Sequence, residues 1–136
     1  MISGNVKDAE VIEMTEASYQ GEKRKVINTR MKWLTHKNLG DESYLHNHAL
    51  RQIIVGPNGH IPTHNHKHTH VWYMLSGSAV ITAVNKAGSI EEKTIGPGDF
   101  VYHYSYEAHS FKNVSSEPAI FLCCIDCVDD KKNCAP

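Results

Sequence analysis

Five histidines lie between His60 and His70, and His109 follows them, in a chain of 136 residues that holds ten histidines in all. Neutral imidazole is the commonest side-chain ligand for divalent transition metals, so such a cluster raises metal chemistry first. Side chains alternate faces in an extended segment, so His64 and His66 in Pro62-Thr63-His64-Asn65-His66 point to one side. His70, after a turn at Lys67 to Thr69, can return to the same point as a third ligand. His68 is expected to turn toward solvent or to stand behind the ligands. His46-Asn47-His48 repeats the spacing in a polar loop without a third partner and is expected to be solvated. His36, His60 and His103 follow no usable pattern.

Gly59-(four residues)-His64-Asn65-His66-(three residues)-His70-(six residues)-Gly77 resembles the first cupin motif, and Gly98-Asp99 with His109-(three residues)-Asn113 resembles the second. The resemblance implies that His64, His66, His70 and His109 hold a metal inside a jelly-roll barrel. Cupins typically carry Glu where this chain has His70, so the chain is similar to a smaller four-histidine subgroup, whose neutral ligands leave the ion more positive. The usual proline between Asp99 and His109 is replaced by His103-Tyr104-Ser105-Tyr106. The implied cofactor is one divalent transition metal among Mn, Fe, Zn and Ni, with Mn or Fe best suited to oxygen chemistry.

A scaffold of strands must position these residues. Apolar runs of strand length occupy 26–34, 50–55, 71–75, 79–84, 90–95, 100–104, 108–111 and 119–128, separated by turn chemistry such as Gly56-Pro57-Asn58-Gly59 and Gly96-Pro97-Gly98-Asp99. No segment has a capped helical period. The expected class is all-β, a single-domain double-stranded β-helix, or jelly-roll cupin barrel. Residues 1–22 read as a polar arm with one edge strand, 23–128 as the barrel and 129–136 as a loose tail. Cys123, Cys124, Cys127 and Cys134 crowd the end of the chain, which fits reduced strand thiols better than a secreted disulfide framework. Residues three apart on a strand face opposite sides, which argues against a zinc knuckle through Cys124 and Cys127.

The same alternation places Trp72 and Met74 on the face of His70, and Phe111 on that of His109, as walls of an apolar substrate pocket. Tyr102, Tyr104 and Glu107 are candidate proton donors, and Arg51 or Arg30 a candidate carboxylate clamp. A net charge of −1 offers no footprint for nucleic acid or an anionic membrane. Met1 to Asp8 lacks a basic region followed by an apolar stretch, and the longest apolar run, Ala119 to Ile125, cannot span a bilayer, so a cytoplasmic location is expected. A small-molecule substrate and a homodimer, its arm pairing with a neighbouring subunit, complete the expectation. Three functions stay open. One is an oxygen-dependent dioxygenase or related oxidoreductase; another is a non-redox isomerase or lyase on a sugar acid or oxyacid; the third is a ligand-binding or sensing module.

Overall fold

The computed structural model describes residues 1–136. Eleven strands follow one another: β1 (Ile12–Glu13), β2 (Glu16–Tyr19), β3 (Glu22–Lys25), β4 (Ile27–Thr35), β5 (His48–His64), β6 (His70–Ser76), β7 (Ala79–Val84), β8 (Ile90–Ile95), β9 (Phe100–His103), β10 (His109–Lys112) and β11 (Ala119–Asp126). Alternation explains their orientation. In β11, Ala119, Phe121, Cys123 and Ile125 are buried while the residues between them are half-exposed. In β6 the buried set is His70, Trp72 and Met74.

Nine strands form one antiparallel sheet whose spine runs β8-β7-β10-β5-β11-β6-β9, with β4 along β5 and β1 along β4. Strands β2 and β3 make a separate hairpin. The sheet curls into a nearly closed barrel because β5 serves two neighbourhoods. Its first half lies between β4 and β11, and its second half pairs with β10. The bend between them is Gly56-Pro57-Asn58-Gly59, expected as a turn ending a strand but found inside a single 17-residue strand. A Cβ on Gly59 would stand 2.6 Å from a Val55 methyl and 2.8 Å from the Gly56 carbonyl, so glycine is required there. Asn113 pins the bend: its Nδ2 donates to the carbonyls of Val55 (3.0 Å), Gly56 (3.1 Å) and Glu117 (2.7 Å).

Ile53, Val55, Met74, Ile81, Ile95, Phe111, Phe121 and Ile125 fill the barrel interior. Phe111 and Phe121 stack at 4.6 Å, and each such fully buried side chain contributes about 1.5–3 kcal/mol. The ends of the chain depart from the sequence reading. Met14 and Ala17, from the stretch read as a polar arm, pack against the core, and β1 pairs with β4 of its own chain. The expectation of reduced thiols holds for Cys123 and Cys124 only, because Cys127 and Cys134 form a disulfide. Strand parity ends with β11 at Asp126, and a 3-10 turn at Lys131–Asn133 carries Cys134 back to Cys127. The tail is accordingly not loose: Asp130 and Cys134 are buried.

Candidate metal centre

Three strands and the loop after β5 bring the histidines together. His64 closes β5, His66 follows it, His70 opens β6 and His109 opens β10. Ile61 faces the core, and strict alternation from it would send His64 outward. A bulge prevents this, since the four residues of β5 from Ile61 to His64 oppose the three of β10 from His109 to Phe111. The donor atoms of His64, His66 and His109 then lie within 4.8 Å of one another, as ligands of one ion would, and that of His70 lies within the same distance of that of His109. With imidazole nitrogen ~2.1 Å from a metal, neighbouring ring centres are expected ~4.5–5.3 Å apart. The observed separations are 5.5 Å (His64–His66), 4.3 Å (His64–His109), 4.8 Å (His66–His70), 5.2 Å (His66–His109) and 4.7 Å (His70–His109), with the rings tilted by 50° or more.

Hydrogen bonds fix the tautomers. Nδ1 of His64, His66 and His109 meets the carbonyl oxygen of Pro62 (2.9 Å), His68 (2.9 Å) and Glu107 (2.6 Å). A carbonyl only accepts, so each Nδ1 carries the proton and each Nε2 keeps its lone pair. His70 is wired in the opposite sense: the Trp72 indole N–H donates to its Nδ1 at 3.1 Å, which leaves the proton of the neutral ring on Nε2. Ligation by His70 therefore requires it to give up that bond. Nε2 of His109, which keeps its lone pair, is buried without a partner, and an orphaned acceptor of this kind fits a site built for a cation. Burial lowers the pKa of all four rings, that of His66 to about 3, and keeps them neutral as ligation requires.

His103, unassigned by the sequence, belongs to the same cluster. It lies opposite His70 in the β6–β9 register, which is the signal that would have found it. Its donor atom also lies within 4.8 Å of those of His70 and His109. However, it stacks on His109 at 4.2 Å with the planes only 16° apart, and two parallel rings cannot aim lone pairs at one point. Its Nδ1 donates to the Glu107 carboxylate. We read His103 as support for His109, with Glu107 orienting it.

A family model described as the cupin domain matches residues 51–125, more than half of the chain. The chain belongs to the cupin family. This cupin is 26% identical over 90 residues, 66% of its length, to an oxalate decarboxylase of Arthroderma benhamiae, of which it spans 21%. It also resembles the polyketide cyclase RemF from Streptomyces resistomycificus (24% identity, TM-score 0.73, covering 93% of this chain and 80% of that one). A cupin-2 domain protein of Rhodospirillum rubrum gives 21% identity and a TM-score of 0.70 over 96% of this chain and 77% of that one. These structural likenesses carry the fold.

Beside the histidines this cupin has a cavity of ≈180 Å³, whose walls include Glu16, Arg51, His64, His66, His68 and His70. A larger cleft of ≈500 Å³ lies between the N-terminal segment and β4 and holds only His36 of the histidines, so the smaller cavity is the relevant one. Trp72 lines it as expected, but Met74 and Phe111 do not. Both face inward, as their parity requires, yet lie deeper in the core, because alternation fixes a face and not a depth. Tyr102 is exposed on the outer face, opposite in parity to His103, and Arg30 is exposed on β4. The Tyr104 hydroxyl donates to the Val84 carbonyl at 3.5 Å, away from the cavity. The pocket expected to be apolar is thus walled on one side by polar groups. His68, expected in solvent or behind the ligands, is buried and stacked on His66 at 3.7 Å.

Proposed function

We propose that this cupin is a metal-dependent enzyme acting on a small carboxylate. The observation that carries the reading is Arg51. Its guanidinium lies over Trp33 at 5.3 Å and donates to Cys123 Sγ at 3.0 Å. Its Nε is buried without a partner, and no carboxylate pairs with it, in the same cavity as His64, His66 and His70. A half-buried cation without a counter-ion beside a histidine cluster suits an anionic ligand.

His64, His66 and His109 would hold one divalent ion, with His70 as the fourth imidazole on the cupin resemblance; Mn or Fe suits a set of neutral nitrogens with oxygen donors from substrate, and Zn or Ni is the alternative. When bound, such an ion polarises a substrate oxygen as a Lewis acid. Arg51 anchors the carboxylate, and Trp72, Phe121, Ile53 and Ile61 restrict water.

A non-redox lyase or isomerase now fits better than a dioxygenase. The oxygen-dependent reading drew on an apolar pocket of Trp72, Met74 and Phe111; the cavity walls keep Trp72 and the expected Arg51, replace Met74 and Phe111 with Ile53, Ile61 and Phe121, and add the polar Glu16 and His68. The oxalate decarboxylase likeness points the same way. Elemental analysis of the purified protein should give about one first-row metal per chain, and His64→Ala with His66→Ala should abolish it. Arg51→Ala should keep the metal and raise KM for carboxylate substrates by tenfold or more. Unchanged metal in the double variant would refute the site. Turnover that requires dioxygen in an anaerobic comparison would restore the dioxygenase.

A further inference from the structure

The tail that the sequence reads as loose reaches a histidine of the cavity wall. Nδ1 of His68 lies 3.1 Å from Asp130 Oδ2, and the Asn133 amide donates to both Asp130 oxygens at 2.8 and 2.9 Å. Burial pushes the Asp130 carboxyl up, but the hydrogen bonds from Asn133 and His68 outweigh it and hold the group below its usual range. The Cys127–Cys134 disulfide brackets this segment, and the Cys127 amide donates to the Asn47 carbonyl at 2.9 Å. Asp130 is therefore a fixed anion, and an anion only accepts. It places the proton of neutral His68 on Nδ1 and leaves Nε2 as a bare acceptor.

That Nε2 is buried and has no partner in the protein. His68 is 7% exposed and lines the same cavity as Arg51, whose Nε is likewise buried and unpartnered. An acceptor and a cationic donor therefore share one small cavity beside the histidine cluster, each lacking a partner whose absence is costly. The cavity, at ≈180 Å³, has about the volume of six waters at ~30 Å³ each, which restricts the occupant to a few heavy atoms.

We propose that His68 and Arg51 form a recognition pair that selects a 2-hydroxy carboxylate over the corresponding 2-oxo carboxylate. The hydroxyl donates to His68 Nε2 and keeps its lone pairs for a metal, while the carboxylate accepts from Arg51. A keto oxygen has no proton to give and meets the His68 lone pair. Asp130 acts through His68 as a positioning residue. This inference rests on the reading of the cavity as the substrate site.

The test is calorimetric titration of the full chain, loaded with Zn(II) so that binding is read without turnover, with L-lactate and with pyruvate at pH 8, where an ordinary imidazole is neutral. The wild type should bind lactate at least tenfold more tightly. In Asp130→Asn the side-chain oxygen still takes the Asn133 donor, so the amide N–H turns to His68 Nδ1 and reverses the tautomer; a keto and a hydroxyl oxygen both accept from an Nε2–H, so the preference for lactate should be lost. His68→Phe keeps a ring against His66 and should bring the two affinities to parity. A ratio of affinities is unmoved by a merely structural role. Equal affinities in the wild type, or a ratio unchanged in both variants, overturn the selection and leave the cavity reading intact. Failure of both acids to bind the metal-loaded protein overturns both.

Discussion

Burial removes the charge that protonated imidazoles would carry, and for His64, His66, His70 and His109 this is the largest cause of their lowered pKa. In the unfolded chain the same side chains protonate near ~6.5. Between that value and the folded-state value of about 3 for His66, the unfolded state binds more protons, so stability falls as pH falls. Thermal melts of the metal-free protein should show Tm constant above about pH 7 and declining below ~6.5, as the unfolding free energy falls by up to ~1.4 kcal/mol per pH unit for each such group. The tautomers add a ranking. His109→Ala should abolish metal binding, whereas His70→Ala, which removes a ring already committed to Trp72, should weaken it by about tenfold or less, as metal titration would report. The sequence made His64, His66, His70 and His109 legible as a group because spacing and motif agree. Asp130 and Glu107 were not legible as orienters, since each works through a histidine that no motif marks.

At the scale of elements, the strands that match expectation residue for residue are β7 and β8, a hairpin whose pairing is local from Ala79 with Ile95 to Val84 with Ile90. β5 was misread because Gly-Pro-Asn-Gly has the chemistry of a chain reversal, and only the carbonyls collected by Asn113 show that it is a bend within one strand. Asn113→Ala should leave three carbonyls without that donor and cost about 2–4 kcal/mol in denaturant unfolding. The disulfide escaped the sequence reading because strand alternation does not govern residues beyond β11. It closes a loop of seven residues' separation, so Cys134→Ser should lower stability by roughly 2–3 kcal/mol on chain entropy alone. A non-reducing against reducing melt of the wild type should show the same difference.

On the whole molecule, no helix is long and apolar enough to cross a membrane. The outer face of β9, β6 and β11 has an unusual composition. Phe100 and Tyr102 pair in register with Tyr73 and Val71, which pair in turn with Leu122 and Cys124, and no charged residue interrupts them. At ~150–250 Å² per aromatic side chain, the exposed 72% of Phe100, 59% of Tyr102 and 47% of Tyr73 come to roughly 350 Å². Val71 and Leu75 extend the patch into the upper part of the ~300–600 Å² that the largest apolar patch of a monomer covers, a size often found at functional contacts, and toward the ~800 Å² per partner of a stable dimer. An uncharged face is complementary to itself, so its occupant should be a second copy of the chain. Sedimentation at micromolar concentration should report a dimer, and Phe100→Lys with Tyr73→Lys a monomer with unchanged metal content; a wild-type monomer would contradict this. The bend in β5 reaches further than the fold it makes. Arg51 and His64 are thirteen positions apart on that strand, a span of ~43 Å if it ran straight, yet both border one cavity of ≈180 Å³. The crook at Gly56 to Gly59 therefore acts as a calliper, setting how many carbon atoms fit between guanidinium and imidazoles, so that the chain length tolerated in a ligand is decided at a hinge the ligand never touches.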